Sequence, residues 1–253
     1  MIPKQPPRID PRLLTDRSVE HLPPGLFEKR VEDLARLMAS RPACPDHPAS
    51  AVRWQDGIIA GEIPQGAHVL DLGCGDGALL EMLMRERDVY GQGVEIEPEA
   101  VFFCVDRGVP VIQADLDEGL RQFPDKTFDV VVLEETLQTL SNPYQMLAEM
   151  LRVGQRGIVS FPNFAHWRVL VGLVAHGRMP VTDQLPYPWY ETANIHPFTL
   201  QDMLDWSMDS GVRLVSGYAL ENGLVRPLGP DDNLRAEEVL MVVEQEPDSV
   251  PRA

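Results

Sequence analysis

The spacing of apolar positions changes at about residue 67. Before it, the spacing is helical. In residues 27–41, Phe27, Val31, Leu34 and Leu37/Met38 fall on one stripe with charges opposite, which predicts an amphipathic helix in need of a surface. The stretch RPACPDHP (41–48) breaks it, and a second helix is expected from about Ala49 to Gly61. Residues 1–24 are punctuated by proline and read as irregular. From Ala67 onward, short β-rich runs alternate with helical segments. The predicted strands are His68–Leu72, Val89–Glu95, Pro110–Gln113, Phe128–Leu133 and Gly157–Phe161, with helices at about 77–87, 98–107 and 143–152.

Such alternation predicts an α/β fold, a parallel sheet with helices on both faces and right-handed connections. After a long connection, 162–198, a helix is expected over Thr199–Ser210. Two strands follow, Arg213–Leu220 and Glu238–Glu244, joined by a loop rich in Gly, Pro and Asp. Their short link suggests an antiparallel pair at one sheet edge. The chain then divides into an N-terminal helical extension (1–54), an α/β domain (55–247) and a C-terminal tail (248–253).

Composition narrows the class. With 253 residues the chain can bury roughly 70–75% of its unfolded surface and needs no disulfide or metal to hold it together. Against 22 Lys and Arg stand 39 Asp and Glu, a net charge of −17. That balance works against nucleic acid and against an anionic membrane surface as partners. Three cysteines, Cys44, Cys74 and Cys104, have neither CxxC nor Cys/His ligand spacing, so they read as reduced thiols. The opening MIPKQPPRID lacks the apolar stretch of a signal peptide, and the apolar run Val169–Ala175 is far short of a membrane span. A cytoplasmic protein is expected.

The strongest local signal is His68-Val-Leu-Asp71-Leu-Gly73-Cys-Gly75-Asp-Gly77-Ala78. A strand runs into a glycine loop and a helix begins at once. The glycines permit a sharp turn and close approach of a ligand to the main chain, and the helix start offers unpaired N–H groups. Alone, Gly73-x-Gly75-x-x-Ala78 also fits a dinucleotide fingerprint, so a nicotinamide cofactor stays open at this point. Glu95 ends the second strand 18 residues after Gly77, where a carboxylate can accept ribose hydroxyls. Asp115 follows the third strand, within reach of an adenine amino group.

Together VLDLGCGDG, GVEIE, QADL and FDVVVLEETL resemble the class I S-adenosylmethionine (SAM)-dependent methyltransferases. The form D-x-G-x-G-x-G, with Asp71 two residues before the first glycine, favours SAM over NAD. The resemblance implies a Rossmann-like, doubly wound, mostly parallel sheet of seven strands with an antiparallel edge strand. It also implies that Asp71, Gly73, Gly75 and Gly77 hold the methionine end of SAM, or of S-adenosylhomocysteine (SAH). Glu95 would hold the ribose, and Asp115 with Leu116 would border the adenine. Further motifs, EMLRVGQRGIVSFPNFAHWRV, GRMPVTDQLPYPWYET and NIHPFTLQD, closely resemble the MetW family of methionine biosynthesis, from about residue 55 to 245. The first 50 residues depart from that pattern. The resemblance implies an association with homoserine O-acetyltransferase, MetX.

The connection 160–198 carries three of the six His (166, 176, 196), two of the four Trp (167, 189) and two of the five Tyr (187, 190). That density suggests a binding wall over the carboxyl ends of the strands, where Glu134, Glu135, Pro162 and Asn163 should also emerge. Two functions stay open. In an enzyme, Tyr190 or His196 would deprotonate a small-molecule acceptor near the SAM methyl. In a binding module, the same residues would pack internally or face the acyltransferase. No D/N-P-P-Y/F sequence follows the fourth strand, so the usual sign of a methyltransferase acting on bases is missing.

Overall fold

The structure, a computed structural model, describes residues 26–39 and 53–246. The proline-rich start, the 41–48 breaker with Cys44, residues 49–52 of the second predicted helix and the tail 248–253 lie outside the described residues. The chain divides into two units between Ala43 and Cys44. In the first, the predicted amphipathic helix is Leu26–Ala39. Arg36 lies 3.2 Å from Asp33 and 3.9 Å from Glu32 one turn back. Exposed pairs of this kind contribute only tenths of a kcal/mol.

The second unit is built on one sheet. Its strands are β1 His68–Leu72, β2 Tyr90–Glu95, β3 Val111–Gln113, β4 Phe128–Glu134, β5 Gly154–Pro162, β6 Val212–Glu221, β7 Leu224–Pro227 and β8 Glu238–Gln245. Their order is β3-β2-β1-β4-β5-β8-β6-β7. The first five pair in parallel, and β8 runs antiparallel between β5 and β6. The expected antiparallel pair is therefore β6 with β8. The sheet has eight strands where seven are expected. The extra one, β7, forms a hairpin with β6 through the two residues Asn222 and Gly223, both at positive φ (50° and 74°). An Asn-Gly pair of this geometry matches the right-handed twist of its strands, so the loop carries a hairpin signal that its Gly and Pro content obscures.

Alternation along the central strands assigns their two faces. Leu70, Leu72, Val131 and Leu133 join a core with Met146, Leu147 and Met150 of helix Pro143–Val153 and Met203 and Trp206 of helix Leu200–Asp209. Val69, Val130 and Val132 join the opposite core, with Ile59 of helix Trp54–Glu62, Ile63 just after it, and Leu79, Leu80 and Leu83 of helix Ala78–Arg87. Burial on both faces is what a parallel sheet requires.

Helix Trp54–Glu62 is pinned at both ends. Glu62 Oε1 accepts from Ser216 Oγ (2.8 Å) and Tyr218 OH (2.7 Å) on β6. At the other end Trp54 Nε1 donates to Glu238, and Gln55 Nε2 donates to Glu135 (2.7 Å) and Glu238 (3.1 Å). The helix start is thereby held at the carboxyl edge of the sheet.

Within 162–198, predicted as one long connection, lies helix Trp167–His176, ended by Gly177 in the left-handed region at φ 60°. Its apolar run has no helical period, because Val169 is buried whereas Val174 is 86% exposed. Among the described residues no helix is long and apolar enough to cross a membrane.

Candidate functional site

β1 brings Asp71, buried, to the glycine loop. Gly73 N–H donates to Val94 O at 2.8 Å, anchoring the turn to β2. Gly73 has φ +76°, and a Cβ there would lie 2.5 Å from Thr136 Oγ1, so no side chain fits. Gly75, at φ +54°, differs: a Cβ there would meet nothing within 4 Å. The loop main chain is thus open to a ligand at Gly75 and closed at Gly73 against Thr136, just beyond β4. Gly77 stands at the N-cap of helix Ala78–Arg87.

Beneath the loop, Cys74 and Cys104 are free thiols with their sulfurs 3.8 Å apart, and Cys104 Sγ donates to Gly75 O at 3.2 Å. Burial pushes both thiols up, so they remain protonated packing groups.

Glu95, at the end of β2, is buried. Its Oε2 accepts the N–H of Gly75 at 2.8 Å, and Oε1 accepts the N–H groups of Ile96 (2.8 Å) and Glu97 (2.9 Å). The residue expected at the ribose is also the brace of the glycine loop. Asp115 is exposed, and its carboxylate accepts from Asp117 N–H at 2.9 Å, capping the short turn Leu116–Glu118. The Leu116 side chain packs into the core, which leaves its main chain for any adenine contact.

Above the loop opens a cleft of about 300 Å³, lined by Arg53, Asp56, Asp71, Gly75 and Glu134 among others. Arg53 Nη2 lies 2.7 Å from Glu134 Oε2 and 3.3 Å from Asp56 Oδ1. Glu134 is only 8% exposed, and its other oxygen, Oε1, has no hydrogen-bond partner. Burial pushes Asp71 up to about 7 and Glu134 up to about 8, in both cases against the pull of Arg53. Burial also opposes the charge of Arg53, but Glu134, Asp56 and Asp71 outweigh it and raise its pKa.

Arg53 and Asp56 carry no motif, and sequence reasoning does not reach them. Their only signal is a spacing of three residues at a helix start. Glu134 and Glu135, adjacent in sequence, separate in space. Glu134 faces the cleft, while Glu135 is exposed, sits at φ +49° and accepts from Gln55.

Tyr190 and His196 do not line this cleft. Tyr190 is 67% exposed and meets Trp189, itself 74% exposed, edge to face at 5.6 Å. His196 is exposed, and its backbone N–H donates to Gln138 O at 3.0 Å, as does that of Ile195 at 2.9 Å. Asn163 is a structural knot: Nδ2 donates to Asn233 O and Ala236 O, and Oδ1 accepts from the Ala165 and Leu200 N–H groups. His166 is buried, and its burial lowers its pKa to about 4.

Known proteins share this architecture. The chain is 37% identical over 175 residues to the bifunctional methionine biosynthesis protein MetXA/MetW of Rhodopirellula baltica, an alignment covering 60% of this chain and 28% of that one. It spans half or less of the length of the curated relatives it matches. A SAM-dependent methyltransferase structure from Thermotoga maritima, described as a possible histamine N-methyltransferase, superposes with a TM-score of 0.57 at 15% identity, covering 76% of this chain and 87% of that one. The [4+2]-cyclase SpnF superposes with a TM-score of 0.55 at 16% identity, over 87% and 95% of the two chains. At such identity the likeness shows a fold, one that also occurs in a protein described as a cyclase. Residues 53–242 match the family model of the methionine biosynthesis protein MetW, three-quarters of the chain and the whole of the eight-stranded unit's site-bearing part. This chain, with the class I methyltransferase fold, therefore belongs to the MetW family.

Proposed function

We propose that this protein binds SAM or SAH in the cleft above the glycine loop and acts as a module supporting homoserine O-acetyltransferase. The observation that carries this reading is a division of labour along the carboxyl edge of the sheet. One part is a polar, ligand-sized cleft. The other is an outward-turned aromatic segment whose acid–base residues do not line that cleft.

The cleft residues fit the cofactor's chemistry. Arg53 offers a guanidinium to a carboxylate, while the carboxyl groups of Asp71 and Glu134 in the lining provide negative charge for an ammonium. The open main chain at Gly75 allows close approach. Glu95 Oε2 accepts a single N–H and keeps a lone pair for one ribose hydroxyl, so the brace and the ribose contact are compatible. When bound, SAM supplies a methyl group on a positively charged sulfur. Gly73 lines the cleft as well, and Gly77, Asp115 and the Leu116 main chain, which like Glu95 lie outside that lining, complete the proposed cofactor set.

Partner support draws on the relative named MetXA/MetW, whose name joins both functions in one protein. It also draws on Trp189, Tyr190 and Tyr187, exposed aromatic side chains of the type that anchor protein interfaces. The alternative is a SAM-dependent methyltransferase with a small-molecule acceptor, in which Tyr190 or His196 acts as base. The shared fold favours it, and it requires the 187–196 segment to close over the cleft.

Calorimetry with SAM and SAH, co-purification with homoserine O-acetyltransferase and a SAM-turnover assay together test the proposal. Cofactor binding and a change in acyltransferase activity, without turnover, are the expected results. Methyl transfer to a defined acceptor would replace the module with the enzyme.

A further inference from the structure

The cleft holds an imbalance of charge. Arg53 is the cation that lines it, against the carboxylates of Asp56, Asp71, Asp76 and Glu134, of which Asp76 is paired with Arg107 at 2.8 Å. With Asp56, Asp71 and Glu134 all ionised beside Arg53, these four side chains would carry a net charge of about −2, with Asp71 and Glu134 buried, a costly arrangement. The hydrogen bonds do not offset it. Glu134, more than nine-tenths buried, lines the cleft and meets Arg53 through Oε2, while its Oε1 is buried without a partner, and Asp56 Oδ1 lies beside Arg53 without an aligned hydrogen bond.

The surrounding charges add to the imbalance. Glu135, although turned away toward Gln55, adds its charge to that of Glu134, and Glu95 at the end of β2 adds its charge to that of Asp71. Burial, with these neighbours, pushes Asp71 up to about 7 and Glu134 up to about 8. Because the carboxyls interact, the titration belongs to the cluster and not to either residue.

We propose that this cleft is a proton-coupled site for an α-amino-acid headgroup, in which Arg53 takes the carboxylate and the Glu134–Asp71–Asp56 cluster exchanges a retained proton for the ammonium. The inference rests on the reading of the cleft as a SAM site and specifies how that site recognises its ligand. The exchange balances. An ammonium takes the proton's place among the acids, that proton passes to solvent, and the ligand carboxylate on Arg53 leaves the occupied site one negative charge above the empty one. A nucleoside without the aminoacyl tail has no ammonium to offer and would release no proton.

The test is calorimetry on the full chain with SAH and with 5′-methylthioadenosine, each in phosphate and in Tris, at pH 6, 7 and 9. The difference between buffers reads the proton count directly. For SAH, a sizeable fraction of one proton should leave at pH 6 and 7 and almost none at pH 9. Its affinity should rise by up to about tenfold per pH unit between 6 and 8. Methylthioadenosine should bind without proton release, and Glu134→Gln should flatten the pH dependence for SAH. The wild-type measurement decides even where the variant does not fold. SAH binding with equal heats in both buffers at pH 6 and 7 overturns the proton coupling alone. No SAH binding at any pH overturns the cofactor reading and this inference with it. Equal proton release from methylthioadenosine overturns the assignment to the headgroup.

Discussion

Arg53 and Glu134 meet at 2.7 Å at the mouth of the cleft, the first just before helix Trp54–Glu62 and the second at the end of β4. The contact joins segments 81 residues apart and sets the cation of the cleft against one of its two buried acids. Removing that cation is the most direct probe of the proposed headgroup site. Arg53→Gln should weaken SAH by roughly ten- to 150-fold, the loss of a charge-assisted contact of about 1.5–3 kcal/mol. Methylthioadenosine affinity should hardly change. Equal affinity for SAH in variant and wild type removes Arg53 from the site.

Glu95 combines two roles, and one substitution exposes both. Glu95→Ala leaves three backbone N–H groups without their acceptor. Stability should fall by about 1–3 kcal/mol, which at 2–4 °C per kcal/mol is a clear drop in Tm. SAM affinity should fall by at least tenfold as well. A drop in Tm with unchanged affinity keeps the brace and discards the ribose contact.

The glycine loop separates folding from binding. Gly73→Ala meets Thr136 and a left-handed backbone together, so it should destabilise by roughly 1–3 kcal/mol. Gly75→Ala meets open space and carries only the backbone strain, about 1 kcal/mol, but its methyl intrudes where a ligand approaches. Thermal melts and calorimetry on the pair should show Gly73→Ala as the less stable and Gly75→Ala as the one with the larger affinity loss for its stability.

Exposed aromatics distinguish module from enzyme. Trp189→Ala, Tyr190→Phe and His196→Ala should each alter stability by less than about 0.5 kcal/mol, as expected of exposed side chains. SAM affinity should also be unchanged. As a module, Trp189→Ala should weaken binding to homoserine O-acetyltransferase by about 2 kcal/mol, near 30-fold. A turnover that falls 10²–10⁴-fold in Tyr190→Phe or His196→Ala, with partner binding intact, would instead establish the base.

Stability should depend on pH with two opposing signs. Asp71 and Glu134 have raised pKa values, so the folded, ligand-free chain keeps protons that the unfolded chain loses above about pH 4. Their stabilisation is present at low pH and lost as pH rises through about 7 and 8. His166 is shifted the other way, to about 4: below pH 6.5 the unfolded chain takes up a proton that the folded chain refuses, so stability falls toward pH 4. Between pH 6.5 and 8 only the carboxyl effect operates. Tm should decline across that window, and Glu134→Gln should reduce the slope. A Tm that rises from pH 6.5 to 8 contradicts the assignment.

Local pattern determined most of the secondary structure. β1 falls at His68–Leu72 as predicted, and the ends of the other six predicted strands shift by at most three residues. Strand–helix alternation fixes a parallel sheet because the period of two and the period of 3.6 are written residue by residue. The glycine loop is legible for the same reason: a left-handed turn demands glycine in place. The hairpin at Asn222 and Gly223 was equally local, but its loop composition masked it. The helix Trp167–His176 was not legible, since a run apolar on every side has no period to read.

Only the tertiary structure decided the chemistry of the cleft. Arg53, Asp56, Asp71 and Glu134 come from three segments, and their meeting depends on how helix Trp54–Glu62 is pinned by Glu62 at one end and by Trp54 and Gln55 at the other. Long-range packing of that kind leaves no periodic trace. The same holds for Tyr190 and His196, whose residue types suggest a base but whose exposure and place outside the cleft follow from the path of a connection with no repeating pattern of its own. Sequence fixes what each segment prefers locally, whereas burial and charge pairing arise only when distant segments share a dielectric environment.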